Sequence, residues 1–435
     1  MDSVTSNLRI KPGSETMTSK NIQIPYGSTS VSFDIPESNF AGYVLPTDES
    51  ESVVSSDEIV RNALKKPIGT KRLSEMVRPD QKIALIVNDV TRPTPSKYLL
   101  PFILEELSAA GIPDKNITIY CALGLHRAQT EEEFRYITGD DIFQRIKCVQ
   151  HETGTFPVKN LGKTSRGTPI EIYTDILEND VIVGIGEIGF HYYAGYSGGA
   201  KSILPGVSSK ESVIANHKLM IEKNAASGRV DSPVRQDLEE AVKIVGLDFI
   251  LNVVLDSHKN VVAAFAGDFI SAHREGVKVV DQLYKIETEP ADAVIVSCGG
   301  FPKDINLYQA NKALDNATQA VIEGGSIVLV SECRDGIGNA VYDRWNKCCP
   351  TPDDAILKFK QEFEFGGHKA ATTAAASKRF NLYLVSAMAP ESVKEAFFTP
   401  CKTVGEAIEM ILTKNPDAKI QVIPYGGQTL PVMKE

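Results

Sequence analysis

The chain of 435 residues lacks several features that would mark particular classes of protein. Its 46 basic residues are outnumbered by 56 acidic ones, so it has no basic excess of the kind that nucleic-acid binding requires. No apolar run approaches the roughly 20 residues that cross a bilayer, and the N-terminus is too polar for a signal peptide. The seven cysteines are odd in number and include no CxxC pair, which argues against a disulfide framework or a structural zinc site. We therefore expect a cytoplasmic protein with no nucleic-acid or membrane partner.

Apolar runs rich in β-branched residues alternate with helical stretches from about residue 80 onward. The predicted strands of this first series are KIALIV (82–87), ITIYCAL (117–123), DVIVGI (180–185) and FILNVVL (249–255), with helices over 98–111 and 234–246. Continuous apolar strands separated by helices indicate a parallel sheet covered on both faces. Before them, IQIPYGSTSVSFDI alternates between apolar and polar residues and predicts a hairpin.

A second series of strands follows the polar stretch 285–292. Its predicted strands are AVIVSC (293–298), SIVLVSEC (326–333) and LYLVSA (382–387), with a helix over 307–325. We predict an α/β fold of two domains, each with a mainly parallel sheet flanked by helices and with the active site in the crevice between them. The predicted divisions are a disordered tail (1–20), a first domain (21–285) and a second domain (290–435). The last strand, IQVIPYG (420–426), suits either sheet.

Polar loops open directly after four of the predicted strands. NDVTRP follows KIALIV, GLHR follows ITIYCA, GEIGFH follows DVIVGI, and CGGFPKD follows AVIVS. Because open parallel sheets bind ligands at the carboxyl ends of their strands, we expect these loops to face one crevice. The alternative is that they are ordinary solvated turns.

Two nucleotide-binding patterns occur, and both are incomplete. Gly184, Gly186 and Gly189 spell GxGxxG after a strand, but no helix and no acidic residue on a second strand follow. GYSGGAKS (195–202) is one residue from the phosphate loop, with Ala200 in place of its last glycine. Neither a nicotinamide site nor a nucleotide triphosphatase is indicated, although small residues beside a lysine suit an anion.

The densest cluster of reactive residues lies between positions 190 and 217. Only seven histidines occur in the chain, yet His191 and His217 bracket this segment, with Lys201 between them. A single histidine is more often structural. His126, His191 and His217 lie instead in glycine-rich or loop-like sequence, which favours a function.

With these motifs the chain resembles the nickel-pincer nucleotide-dependent lactate racemases and related 2-hydroxyacid racemases and epimerases. The resemblance runs from about residue 20 to 430 and includes H-x9-K-x15-H with the internal GxSGGxKSxLPG. The further matching positions are Asp89, Thr91, Arg92 and Pro93; Gly124, His126 and Arg127; and Gly299, Gly300, Pro302, Asp304, Tyr308, Gln309 and Lys312.

The resemblance implies a pyridinium mononucleotide with two sulfur-containing arms, joined covalently to Lys201. It implies that His217 is the protein ligand to nickel, which suits a tetragonal site completed by one imidazole. Ser197, Gly198, Gly199 and Asp89 would help to bind the cofactor. The alternative for Lys201 is a simple phosphate-binding lysine.

The resemblance also implies that His126 and His191 are an acid/base pair, one for each enantiomer. The α-hydrogen of a 2-hydroxy acid would leave as hydride to the cofactor while a histidine takes the hydroxyl proton. Arg92 offers a bidentate fork for the substrate carboxylate, and Lys312 offers a second positive charge. Tyr308 and Gln309 would also meet the substrate. The alternatives are a surface ion pair for Arg92 and a solvated lysine for Lys312.

One position departs from lactate racemases, which carry a tryptophan near the substrate. The chain's only tryptophan, Trp345, does not fall there; counted back from LYLVSA, the place is held by His368. Because Gly366, Gly367 and His368 suggest a roomier and more polar wall, we expect a substrate larger or more polar than lactate. His368 would then contact the substrate, unless it is a structural residue of a helix end.

Two other functions remain open, a 2-hydroxyacid oxidoreductase and a protein that carries the nickel cofactor without turnover. The paired histidines argue against a carrier, which needs no acid/base groups. The expected partners are a small 2-hydroxy acid and the cofactor-synthesis enzymes, and a homo-oligomer is left open. A chain made without those enzymes would lack the cofactor.

Overall fold

The computed structural model describes residues 18–47, 54–152, 154–222, 224–256 and 259–434. The tail predicted over residues 1–20 lies outside the described residues except for its last three positions. Among the helices described, none is long and apolar enough to cross a membrane.

The described strands and helices alternate along most of the chain. The strands are β1 (Ser19–Tyr26), β2 (Thr29–Pro36), β3 (Phe40–Tyr43), β4 (Ile83–Asn88), β5 (Ile117–Ala122), β6 (Lys147–Gln150), β7 (Val158–Lys163), β8 (Pro169–Tyr173), β9 (Val181–Glu187), β10 (Phe190–His191), β11 (Gly195–Tyr196), β12 (Phe249–Leu255), β13 (Val261–Gly267), β14 (Lys285–Thr288), β15 (Ala291–Ser297), β16 (Val321–Val330), β17 (Asn381–Val385), β18 (Thr399–Cys401), β19 (Ile420–Ile423) and β20 (Leu430–Met433). The α-helices are α1 (Ser56–Lys65), α2 (Leu73–Met76), α3 (Ser96–Ala109), α4 (Glu131–Thr138), α5 (Asp140–Arg145), α6 (Lys210–Lys218), α7 (Pro233–Val245), α8 (Ser271–Tyr284), α9 (Leu307–Ala317), α10 (Ala340–Cys348), α11 (Pro352–Gln361), α12 (Gly367–Arg379), α13 (Pro390–Glu395) and α14 (Val404–Lys414).

The first large sheet has the strand order β13-β12-β9-β4-β5-β6. Its strands are parallel except for β13, which returns antiparallel to β12. Both faces are covered: Ile83 and Leu85 of β4 join one hydrophobic cluster, while Ala84 and Ile86 join the other. This double burial explains the continuous apolar runs, and the four strands predicted here are confirmed.

The second large sheet has the order β18-β17-β16-β15-β19-β3, and all its pairs are parallel. The last predicted strand, which suits either sheet by sequence, is β19 of this one. Together the sheets confirm the predicted α/β fold.

The N-terminal hairpin packs on the second sheet, although its sequence position suggests the first domain (21–285). The hairpin itself is confirmed, since β1 and β2 pair antiparallel. Its apolar face, with Ile22 and Phe33, shares a cluster with Ile295 of β15, and β3 pairs with β19. The alternation of apolar and polar residues indicates that one face of the hairpin is buried, but it does not indicate which sheet covers that face. The domain division at 285–292 stays a prediction.

The helix that the sequence predicts over 307–325 is shorter than expected. α9 ends at Ala317, and β16 begins at Val321. The β-branched pair Val321 and Ile322 starts a strand, and Gly324 has a positive φ of 80° beside a register shift. The two glycines therefore lie within the strand and do not cap the helix.

Candidate active site in the interdomain cleft

A cleft between the two domains brings together most of the residues that the sequence singles out. The first domain lines it with Arg92, His126, His191, Ser197, Gly198, Lys201 and His217, and the second with Tyr308, Gln309 and Lys312. Asp89 and Gly199 lie directly behind this lining, through contacts given below. The cavity that these side chains enclose holds about 110 Å³, and the cleft continues beyond it into space open to solvent.

Three of the four predicted loops reach this cleft. β9, β4 and β5 are adjacent and parallel, so the loops after them emerge side by side at one edge of the sheet. The prediction is wrong for the fourth loop, CGGFPKD, which does not line the cleft. Asp304 Oδ2 instead accepts a hydrogen bond from the Gly27 N–H at 2.6 Å, which ties the β1–β2 turn to the second domain.

The segment that carries His191 and Lys201 is a tight loop made of small residues. β10 and β11, each of two residues, form a short hairpin, and a helical turn over Gly199–Ser202 follows. Gly198 has a φ of 71°, and a Cβ there would lie 2.7 Å from the Glu187 carbonyl oxygen. Glycine is therefore required for this close approach, and an open backbone surface remains beside Lys201.

A buried arginine holds this loop in place by hydrogen bonds to its backbone. The guanidinium of Arg235 on α7 donates to the carbonyl oxygens of Ala194 at 3.4 Å and Gly198 at 3.2 Å, and also to that of Tyr196. The side chain is fully buried, and burial lowers the pKa of Arg235 to about 10, so it stays charged at neutral pH. From beside it, the Asn252 amide oxygen accepts the Gly199 N–H at 2.7 Å.

His191 and Lys201 are in direct contact. The Nε2 of His191 lies 3.2 Å from the Nζ of Lys201, and its Nδ1 accepts the Ala194 N–H at 3.3 Å. Because Nδ1 accepts, a neutral imidazole carries its proton on Nε2, and Lys201 must accept it as a free amine. Burial, with the charges of Arg235 and Arg92, lowers the pKa of Lys201 well below its usual value, in agreement. Lys201 is therefore nucleophilic.

His217 is a neutral imidazole with an unused nitrogen. It lies near the end of α6, 5.0 Å from the Tyr193 ring and 6.2 Å from the Phe365 ring. Burial lowers the pKa of His217 to about 3. Its Nδ1 is buried with no hydrogen-bond partner among the described residues, as expected of a group kept free to bind a ligand.

Asp89 orients His126 at the opposite wall. Its Oδ2 lies 3.1 Å from His126 Nδ1 and 3.8 Å from Arg92 Nε. Burial opposes ionisation, but the hydrogen bond from His126 and the charge of Arg92 lower the pKa of Asp89 below its usual range. The carboxylate thus accepts the Nδ1 proton, which leaves Nε2 of His126 as a base.

The second domain contributes Lys312, a lysine whose charge can change near neutral pH. Lys312 lies one turn after Tyr308 and Gln309 on α9, where all three line the cleft. Burial, then Arg92 and Lys369, lowers the pKa of Lys312 to about 7. Its charge at neutral pH therefore depends on an anion in the cleft.

His368 is not at the cleft wall, where the sequence places it. It is 1% exposed on α12, and its Nε2 lies 2.8 Å from the hydroxyl of Tyr192, which does line the cleft. Gly367 packs on Trp345, so this stretch opens no extra room. The wall here is made instead by Phe365 and Lys369.

Sequence reasoning missed the residues that complete the lining and support the loop. Those lining the cleft are Glu187, Tyr192, Tyr193, Phe365 and Lys369, and those behind it are Arg235 and Asn252. The supports lie far along the chain, Arg235 on the amphipathic helix α7 and Asn252 within the apolar strand β12. A charged residue on the apolar face of α7 was the one available signal for Arg235.

The fold and this site define a two-domain α/β enzyme with its reactive groups in the interdomain cleft. The family model for the lactate racemase N-terminal domain matches residues 26–228, and that for the lactate racemase C-terminal domain matches residues 286–430. The chain therefore belongs to the lactate racemase family, and it is an isomerase.

Relatives match over almost the whole chain. The lactate racemase of Thermoanaerobacterium thermosaccharolyticum is 36% identical over 417 residues, which cover 93% of this chain and 98% of that protein. The lactate racemase of Lactiplantibacillus plantarum is 31% identical over 416 residues, with the same coverage. The structure of the T. thermosaccharolyticum apoprotein superimposes with a TM-score of 0.89 at 34% identity, covering 96% of this chain and 100% of that one. A Thermotoga maritima protein shares the fold alone, with a TM-score of 0.67 at 19% identity and coverage of 88% and 99%.

The role of Arg235 gives a first prediction. Replacing it with lysine keeps the charge but loses the fork that serves several carbonyl oxygens, so Arg235→Lys should lower the free energy of unfolding by about 1.5–3 kcal/mol. Amide exchange in residues 194–199 should also become faster. Urea unfolding and hydrogen exchange measure the two effects, with Arg166→Lys at an exposed ion pair as the control. Unchanged exchange in the loop would contradict the role given to Arg235.

Proposed function

We propose that this chain racemises or epimerises a 2-hydroxy acid with a nickel-pincer nucleotide joined to Lys201. The observation that carries the proposal is the joint placement of Lys201 and three imidazoles in one cleft, with the Lys201 amine in contact with His191. One imidazole, His217, has an unpartnered Nδ1 among the described residues, while the other two suit proton transfer.

The residues of the cleft fit the cofactor that the family implies. The neutral amine of Lys201 can form the covalent bond, and the side-chain-free surface of Gly198 and Gly199 leaves room for a nucleotide beside Ser197. In the described parts of the chain no three His, Cys, Asp or Glu side chains are placed so that they could hold one metal ion, so a metal here needs donors from the cofactor in addition to His217. When bound, the group supplies an acceptor for the α-hydrogen, which leaves as hydride because the adjacent carboxylate disfavours a carbanion.

The chain's own residues would handle the proton and the carboxylate. His126, oriented by Asp89, presents Nε2 as a base for the substrate hydroxyl, whereas His191, with its proton on Nε2, would return a proton to the substrate oxygen as the other enantiomer forms, and the two would exchange roles in the reverse direction. Arg92 suits the substrate carboxylate as a bidentate fork. Lys312 and Gln309 remain for a second polar group. The wall that the sequence assigns to His368 is made by Phe365 and Lys369, and the polar lysine there supports a substrate larger or more polar than lactate, such as malate or a sugar acid.

A substrate panel tests both parts of this proposal. The enzyme matured with the cofactor-synthesis enzymes should interconvert the enantiomers of malate or epimerise a sugar acid with a higher kcat/KM than it shows for lactate. Chiral chromatography of the products measures this. Lactate as clearly the best substrate would contradict the specificity, and no turnover of any member would contradict the activity.

Changing Asp89 to asparagine should disable His126. The amide can donate to Nδ1, which moves the imidazole proton to Nε2 and removes the base, so kcat should fall about 10²–10⁴-fold. Asp175→Asn is the matched control, because Asp175 holds His151 at 2.8 Å outside the cleft lining. Equal kcat values for the two variants would show that the Asp89–His126 pair is not catalytic.

The lowered pKa of Lys312 predicts a pH dependence. The amine loses its charge as the pH rises through about 7, so kcat/KM for an anionic substrate should fall above that pH. In Lys312→Arg the guanidinium stays charged, and the fall should disappear. A fall that persists unchanged in Lys312→Arg would assign it to another group.

A further inference from the structure

Tyr192 belongs to the first domain but is held by two residues of the second. Its hydroxyl lies 2.8 Å from Nε2 of His368, and the Nζ of Lys369 lies 3.7 Å from its ring centroid. His368 and Lys369 are consecutive on α12 and are each 1% exposed. The three side chains thus make a buried contact across the cleft.

The surroundings of His368 decide which partner donates the hydrogen bond between His368 and Tyr192. His368 Nδ1 accepts the Gly366 N–H at 3.2 Å, so the neutral imidazole carries its proton on Nε2 and donates it to the Tyr192 oxygen. Lys369 is held over the ring by Asp315, whose Oδ2 is 3.1 Å from Nζ. A cation buried against an aromatic face attracts it more strongly than an exposed one.

Tyr192 also contacts His191, the residue before it in the chain. The Tyr192 ring stacks on the His191 imidazole, with centroids 5.2 Å apart and planes 14° apart. His191 has its own hydrogen bonds within the loop, yet one face of its ring is covered by Tyr192. The second domain therefore bears on the orientation of His191 through a single tyrosine.

We propose that Tyr192, His368 and Lys369 form an interdomain clasp that positions His191 and holds the cleft closed. They are positioning residues, and His368 acts here through Tyr192 and not on the substrate. The inference rests on the proposed function only in taking His191 as a proton-transferring group.

Hydrogen exchange tests the clasp in the full chain without any substrate. In Tyr192→Phe, which keeps the ring and loses the hydroxyl, amides near the start of α12 should exchange about fivefold faster, because one buried hydrogen bond across the domains is lost. In Lys369→Met the effect should appear in residues 190–196. Tyr136→Phe and Lys360→Met, both at exposed positions, are the controls. Unchanged exchange across the domain boundary in both variants would overturn the clasp.

Kinetics of the matured enzyme test the link to His191. Tyr192→Phe and His368→Leu should each lower kcat by about tenfold with little change in KM, and the double variant should be no slower than either. Additive losses would show that the two residues act independently, which overturns the proposal. If the unaltered enzyme turns over no 2-hydroxy acid, the proposed function fails, whereas the exchange measurement still decides on the clasp.

Discussion

Two nitrogen bases, His191 Nε2 and Lys201 Nζ, lie 3.2 Å apart in a buried cleft, and the site depends on keeping both uncharged. A positive charge on either would face Arg92 and Lys312, and a charge on Lys201 would also face the guanidinium of Arg235, with little solvent to screen it. The fold therefore favours the neutral form of an amine that would be protonated in water. That condition makes Lys201 a nucleophile and leaves His191 able to exchange a proton.

The rest of the first domain serves this condition. Three adjacent parallel strands place their loops at one edge of the sheet. Arg235 donates hydrogen bonds to carbonyl oxygens of the loop that carries His191 and Lys201, so these oxygens need no partner from the cleft side. The second domain closes the other side with α9 and α12 and adds the cations that an acidic chain needs for an anionic substrate. The cleft that holds His191 and Lys201 is thus formed by both domains.

Sequence alone predicted the elements whose signal is local. Strands buried on both faces were found from their apolar runs, and the loops carrying Arg92, His126 and His191 were found because they follow such strands. The placement of the N-terminal hairpin failed, since alternation reports one buried face without its partner. Helix α9 was extended too far because Gly324 and Gly325 resemble a helix end as much as a strand bulge.

Residues that act through tertiary contacts could not be found in this way. Arg235 lies 34 positions after Lys201 in an amphipathic helix, and its place on the apolar face of that helix does not tell that the loop lies over it. His368 was noticed by its position but given the wrong neighbour, because Tyr192 and not a substrate occupies the space in front of it. Distances between segments far apart in the chain decide such cases.

The most direct test of the central claim is the mass and nickel content of the chain after co-expression with the cofactor-synthesis enzymes. The account predicts added mass on the peptide that contains Lys201, about one nickel ion per chain held with His217, and loss of both racemisation and added mass in Lys201→Ala. Racemisation that survives in Lys201→Ala, or in a chain that carries neither the added mass nor nickel, would contradict it.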